Sequence, residues 1–175
     1  MHKSIKKLCL TALGIALFVA LSFCLQVPVF ENYYLCLGYV AMTLYCYYFG
    51  PISGATVGVI GVVLYCLLIS GLRGMPGWAA GNLVIALAVG ITCKLTQSLK
   101  NEWLRHIIIG ISVVLSTAVA MLGVKSLVEM LLYSQPFIFR VAKNFYAFVA
   151  DSIVMIVSLP ICAGLKSIVK KLHIQ

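Results

Sequence analysis

Apolar runs of about 16 to 28 residues recur along nearly the whole chain, at 8–26, 35–50, 51–70, 78–97, 105–132 and 144–166. None of them carries the strict apolar–polar alternation of a half-buried strand, and a helix needs roughly 20 residues to cross the hydrocarbon of a bilayer. The pattern therefore predicts six membrane-spanning helices with short connections, an all-α integral membrane protein. Only Gly50-Pro51 separates the second and third spans, and proline ends a helix where glycine permits a turn, so these two form a tight hairpin with a short second member.

Composition agrees with that reading. Hydrophobic residues fill 63% of the 175 positions and charged residues only 10%, against about 25% charged in an average soluble domain. A water-soluble fold of this length cannot hide so much apolar surface, and one membrane domain, 1–175, uses the whole length. The apolar run after Lys3, Lys6 and Lys7 has no small-x-small cleavage site at its end and is long for a signal sequence, so it counts as the first span. The seven cysteines are scattered through apolar stretches with no CxxC spacing and read as small buried hydrophobes.

The net charge of +9 raises nucleic-acid binding, but the basic residues cluster at the ends of spans, where the positive-inside rule accounts for them. With the N-terminus cytoplasmic, one side collects Lys3, Lys6, Lys7, Lys94, Lys100, Arg105, Lys166, Lys170 and Lys171, and the other only Arg73, Arg140 and Lys143. Both termini are thus expected in the cytoplasm of a multi-pass plasma-membrane protein, with loops 1, 3 and 5 outside. Lys125 is the remaining cation and lies within the fifth span, about 30 Å along it from Arg105 at 1.5 Å per residue.

This topology gathers the polar interruptions near the outer side. Glu129 is one turn beyond Lys125, in reach to pair with it or to line a pocket beside it. In the sixth span Asn144, Phe148 and Asp151 share a stripe, with Asp151 about 10 Å from the helix start. Arg73 stands in the glycine-rich loop ISGLRGMPGWAAGN, Trp78 opens the fourth span and Asn82 follows one turn below it. Loop 1 adds Glu31, Asn32, Tyr33 and Tyr34. Ionisable groups inside a bilayer are costly and mark functional sites by default. The candidate ligand residues are therefore Asp151, Asn144, Asn82, Arg73, Trp78, Lys125, Glu129, Tyr34 and Phe148, a set of amides, rings and carboxylates suited to a hydrogen-bonding N-heterocycle.

Small residues supply a second kind of feature. Ala12, Ala16 and Ala20 repeat every four residues in TALGIALFVALS, and Gly50, Gly54 and Gly58, with Gly61, in GPISGATVGVIG. Such stripes let helix backbones approach closely in lipid, either within the bundle or against a partner. Ala12, Ala16, Ala20, Gly54 and Gly58 are the partner-docking candidates, and internal packing is the simpler account of the glycines.

No GxxxxGK[ST] loop is present to cradle phosphates, so ATP-driven work falls to a partner. His106 has no second histidine near it for metal ligation, no catalytic signature joins Glu129 and Asp151, and neither a cofactor nor a catalytic role is expected.

Taken together, the spans, the Ala12-x3-Ala16 stripe, the YCYYFGPISGATVGVIG hairpin and the glycine-rich loop entering the fourth helix resemble the substrate-binding S-component of energy-coupling factor (ECF) transporters. The resemblance covers nearly the whole chain. It implies a membrane protein that captures a water-soluble vitamin from outside and works with a transmembrane coupling protein and two cytoplasmic ATPases, toppling in the bilayer to release its ligand. It further implies that Ala12, Ala16 and Ala20 dock the coupling protein, and that loops 1, 3 and 5 with spans 4 to 6 build the pocket. Two other classes answer to the same residues: a small membrane enzyme acting on lipid or isoprenoid, with Glu129 and Asp151 as paired carboxylates, and an assembly protein without ligand.

Overall fold

The computed structural model describes residues 2–24, 27–30, 33–99 and 101–171. Helix α1 covers His2–Cys24, followed by a short antiparallel hairpin of β1, Val27–Phe30, and β2, Tyr33–Leu35, in which Val27 is opposite Leu35. Then come α2, Gly38–Phe49, and α3, Pro51–Tyr65, which continues through a π-helical turn, Cys66–Ser70. A 3-10 turn at Leu72–Gly74 leads into α4, Met75–Leu95. Helix α5, Glu102–Ala118, runs through a π-helical stretch, Val119–Lys125, into α6, Ser126–Tyr133, and α7 covers Phe137–Lys171.

Among the described residues, five helical stretches are long and apolar enough to cross a membrane: Ile5–Cys24, Pro51–Ile69, Leu72–Ser98, Glu102–Tyr133 and Phe137–Lys166. The second expected span is the exception. Helix α2 has only 12 residues, about 18 Å at 1.5 Å per residue, too short to cross alone. Its environment explains its composition: Tyr39, Ala41, Met42, Thr43, Tyr45, Cys46 and Tyr47 are all buried, so it is the centre of the bundle, packed on by α1, α3, α4 and α7. The sixth helix also departs from expectation, beginning at Phe137 and not near 144, which carries Arg140 and Lys143 out of the loop and onto α7.

Glycines set the spacing of this bundle. A β-carbon on Gly54 would stand 2.2 Å from the Cys46 sulfur, and one on Gly58 2.4 Å from the Met42 sulfur. Gly54 and Gly58 are therefore internal packing positions against α2, and the docking role entertained for them is corrected: a buried face cannot meet a partner. Gly14 of α1 is equally tight, 2.4 Å from the Tyr45 ring. By contrast Ala12, Ala16 and Ala20 are exposed on the opposite side of α1. They floor a groove between α1 and α3 whose walls include Val19, Phe23, Ile60 and Leu64.

At the end of the bundle where α5 begins, Lys166 and Glu102 form an ion pair, and the Arg105 guanidinium lies 4.4 Å from the centre of the Tyr47 ring. Of the basic residues assigned to this end from sequence, Lys100 and the side chains of Lys3, Lys170 and Lys171 lie outside the described residues.

One glycine is tight against backbone, which cannot rotate away as a side chain can. A β-carbon on Gly90 would come within 2.4 Å of the Pro51 Cα, where α4 crosses the turn between α2 and α3, while Gly110 has nothing within 4 Å. Overpacking a core costs about 1–3 kcal/mol, and for this chain length each kcal/mol lowers the melting temperature by roughly 2–4 °C. Gly90→Ala should therefore melt several degrees below the wild type in detergent, and Gly110→Ala with it; equal melting of the two variants would refute the packing account.

Candidate ligand pocket

The elements converge at the end of the bundle opposite Glu102 to enclose a cavity of about 500 Å³, within the usual size of small-molecule sites. How the chain opens it is legible step by step. Gly71, at φ +82°, ends the π-turn of α3 and donates its N–H to the Cys66 carbonyl, which turns the chain into the loop bearing Arg73. Gly77 then lets α4 lie against α6, since a β-carbon there would meet the Lys125 and Glu129 side chains at 3.2 Å. Ser134, left-handed at φ 51°, caps α6 by donating its N–H to the Met130 carbonyl and allows α7 to fold back.

Polar side chains line the cavity in three groups. Along α7, Arg140, Lys143, Ala147 and Asp151 face it at spacings of three and four, with Asp151 about 16 Å deeper than Arg140 by the helical rise. From the π-stretch and α6 come Lys125, Glu129 and Tyr133, and from the turn into α4 come Arg73, Gly74 and Trp78. Ser22, Leu35, Cys36, Tyr65, Gln135 and Phe139 complete the wall. Asp151 and Glu129 are each about 4% exposed and Lys125 about 8%, so all three are held by the protein and not by water. Asp151 is within electrostatic reach of Lys125 and of the Tyr39 hydroxyl.

Glu129 organises the wall between α6 and α7. One of its carboxylate oxygens accepts from the Asn144 amide at 3.1 Å and lies 3.5 Å from the Arg140 guanidinium. Asn144 also donates to the Ser126 hydroxyl at 3.0 Å. The Arg140 guanidinium in turn lies 5.2 Å from the centre of the Tyr133 ring, and that of Arg73 5.5 Å from the same ring. Cation–ring contacts of this kind join the loop before α4 to the end of α6.

Behind the cavity runs a hydrogen-bonded chain that locks its aromatic wall. The Trp78 indole donates to the Tyr39 hydroxyl at 2.9 Å, Tyr39 donates to the Asn82 carbonyl oxygen at 2.7 Å, and the Asn82 amide donates to the Gly58 carbonyl at 3.0 Å. The Tyr65 ring meets Trp78 edge-on at 5.8 Å.

Of the residues expected at the site, Asp151, Lys125, Glu129, Arg73 and Trp78 do come together around one cavity. Three are corrected. Asn82 is fully buried one layer behind, its amide used by Tyr39 and Gly58. Asn144 is also fully buried and holds Glu129. Phe148 packs on the core and on Phe145 at 5.9 Å. The stripe of α7 that faces the cavity is thus one residue earlier in register than Asn144–Phe148. Glu31 and Asn32 lie outside the described residues, as do the side chains of Tyr33 and Tyr34. Tyr39, Tyr65, Tyr133, Gln135 and Phe139 were not anticipated. For Tyr133 a signal existed, since it stands one turn beyond Glu129.

An ordered cavity with buried charges and aromatic walls, at one end of an apolar bundle, is the arrangement of a membrane-embedded receptor for a small polar molecule. The family described as ECF-type riboflavin transporter, S component, matches residues 2–167. The chain belongs to this family. It is accordingly an integral membrane protein and a substrate-binding subunit of a transporter. No curated protein matches the chain.

The chain through Tyr39 yields a direct test. Tyr39→Phe removes the hydroxyl that serves both Trp78 and Asn82, and stranding a buried partner costs about 1–3 kcal/mol. The variant should melt several degrees lower and shift the Trp78 emission; an unchanged melting curve would show that the wall does not depend on this chain.

Proposed function

We propose that this S-component captures a flavin of the riboflavin class from outside the cell, for ATP-driven uptake with a transmembrane coupling protein and two cytoplasmic ATPases. The single observation that carries the ligand class is the composition of the cavity: ring surfaces and buried charged groups meet in about 500 Å³. Riboflavin offers the complement of both. Its fused ring system is planar and largely apolar, and the pyrimidine edge presents one N–H between two carbonyls. Asp151 suits the N–H as acceptor and Lys125 a carbonyl as donor, while Trp78 and Tyr65 supply aromatic faces. The hydroxylated side chain suits Glu129 and Gln135 toward the mouth. The family name points to the same ligand, whereas the residue types alone pointed only to a hydrogen-bonding N-heterocycle.

In this reading the cavity opens to the outside and both termini lie in the cytoplasm of the plasma membrane. The asymmetry of basic residues supports that orientation, nine at one end against Arg73, Arg140 and Lys143 at the other. The coupling protein docks on the exposed alanines of α1. Ala12, Ala16 and Ala20 leave a smooth strip on the groove floor, where a helix approaches closely without displacing side chains.

Two measurements test the proposal. Purified protein should carry or bind riboflavin, detected by native mass spectrometry and by quenching of flavin fluorescence, and Asp151→Asn should weaken binding by about 10- to 100-fold, the loss of one charged hydrogen bond. Absence of flavin binding in folded protein would end this reading of the ligand. Separately, Ala16→Leu with Ala20→Leu should abolish co-purification with the coupling protein while flavin binding persists; undiminished co-purification would remove the stripe from the docking surface.

A further inference from the structure

The ligand cavity occupies one end of the bundle; at the other, where α5 begins and α7 ends, a groove opens sideways between these two helices. Its volume is about 810 Å³, and its walls are almost wholly apolar, with Ile107, Gly110, Ile111 and Val114 from α5 and Ile156 and Pro160 from α7. Gly110 leaves it hollow, since a β-carbon there would have nothing within 4 Å. Over 107–115 the groove runs about 12 Å along α5 by the helical rise. One leaflet supplies about 15 Å of hydrocarbon, whereas a spanning helix of a partner needs the full thickness of about 30 Å. The length therefore fits a single acyl chain.

The head of the groove is polar and basic. Glu102, Trp103 and His106 line it, and Trp103, about 80% exposed, stands where an indole meets headgroups. Glu102 is ion-paired with Lys166, and Arg105 and His106 also lie within electrostatic reach of it. Two permanent cations and an imidazole thus surround one carboxylate. The other three acids of the chain, Glu31, Glu129 and Asp151, belong to the opposite end. Arg105 is about 8% exposed, and its Nε has no hydrogen-bond partner among the described residues. Its guanidinium lies 4.4 Å from the centre of the Tyr47 ring, on which His106 stacks at 6.1 Å. A tyrosine ring carries no net charge, so Lys166 is offset by Glu102 while Arg105 is not, and the head of the groove presents a positive field.

We infer that the groove between α5 and α7 seats one anionic phospholipid, with an acyl chain along 107–115 and its phosphate beside Lys166, Trp103 and His106. Basic pockets between helices at the cytoplasmic end of a membrane protein suit such headgroups. The chain fills the hollow left by Gly110, and the phosphate supplies the counter-charge that the head of the groove lacks. This holds whichever ligand the cavity at the other end takes.

The test is native mass spectrometry of the purified full chain in detergent, titrated with phosphatidylglycerol and phosphatidylcholine of identical acyl chains. One phosphatidylglycerol per chain should bind at least about tenfold more tightly than phosphatidylcholine, with a preference that shrinks as salt rises. Gly110→Leu fills the groove and should weaken both lipids at least about tenfold. Gly164→Leu, equally open and exposed on α7 but outside the groove, should leave both unchanged. Lys166→Gln should cut the preference about fivefold, the worth of one cation near an anionic headgroup, without affecting phosphatidylcholine. Equal binding of the two lipids, or lipid binding that survives Gly110→Leu in folded protein, would overturn the inference. So would a Gly110→Leu variant that loses a dimer or the coupling protein but keeps its lipid, because the groove then seats a protein. Should Gly110→Leu fail to fold, competition between the two lipids on the wild-type protein decides the matter.

Discussion

A polar group placed inside a bilayer finds its partner in the protein or finds none, and this constraint governs the arrangement of the bundle. Glu129 shows it most directly. Its carboxylate, about 4% exposed, is held by Asn144 and faces Arg140, so that α6 and α7 are fixed to one another at the point where the cavity opens. Remove that fixture and the α7 stripe from Arg140 to Asp151 has no reason to face the same space as Lys125. The chain from Trp78 through Tyr39 and Asn82 to Gly58 performs the same service for α4, α2 and α3. The cavity is the volume left between these two fixed walls.

The two small-residue stripes divide the labour of packing. On α1, Gly14, Phe18 and Ser22 repeat every four residues toward the interior, with Gly14 against Tyr45 and Phe18 against Gly61. Ala12, Ala16 and Ala20 repeat at the same spacing toward the outside. One helix therefore presents a close-packed face to its own bundle and a smooth one away from it. The inner face needs a glycine because an aromatic ring lies on it; the outer face needs only the absence of bulk, which alanine provides at lower cost to helix stability.

Much of this was legible in the sequence, and the failures have specific causes. Hydropathy locates the five long helical stretches because length and apolarity alone define a span. The second, α2, is as apolar as a span but has only 12 residues and is packed on by α1, α3, α4 and α7, so apolarity there reports burial in protein as much as exposure to lipid. Charge location correctly brings Asp151, Lys125, Glu129, Arg73 and Trp78 to one end. It fails for Asn82 and Asn144, since a buried amide that serves the ligand and one that serves a neighbouring helix have the same sequence signature. The late start assumed for the last helix treated Arg140 and Lys143 as loop residues, so the stripe Arg140–Lys143–Ala147–Asp151 was hidden by the neighbouring Asn144–Phe148–Asp151.

The stretch Glu102–Tyr133 holds the least legible feature. Six of its buried positions, Ile109, Val113, Thr117, Met121, Lys125 and Glu129, step by four. On a regular α-helix a four-residue repeat drifts by about 40° each time, so over five steps Glu129 would be turned roughly 200° from Ile109, toward lipid. The π-helical stretch Val119–Lys125 has more residues per turn and takes back much of that drift. The Ser126 hydroxyl donating to the Met121 carbonyl, five residues earlier, spans the end of this wider turn. An ordinary helical template read over the same residues assigns Lys125 and Glu129 no common inward face with Ile109. It is the irregularity of the helix that lets an apolar packing stripe at one end of the bundle become a charged cavity wall at the other.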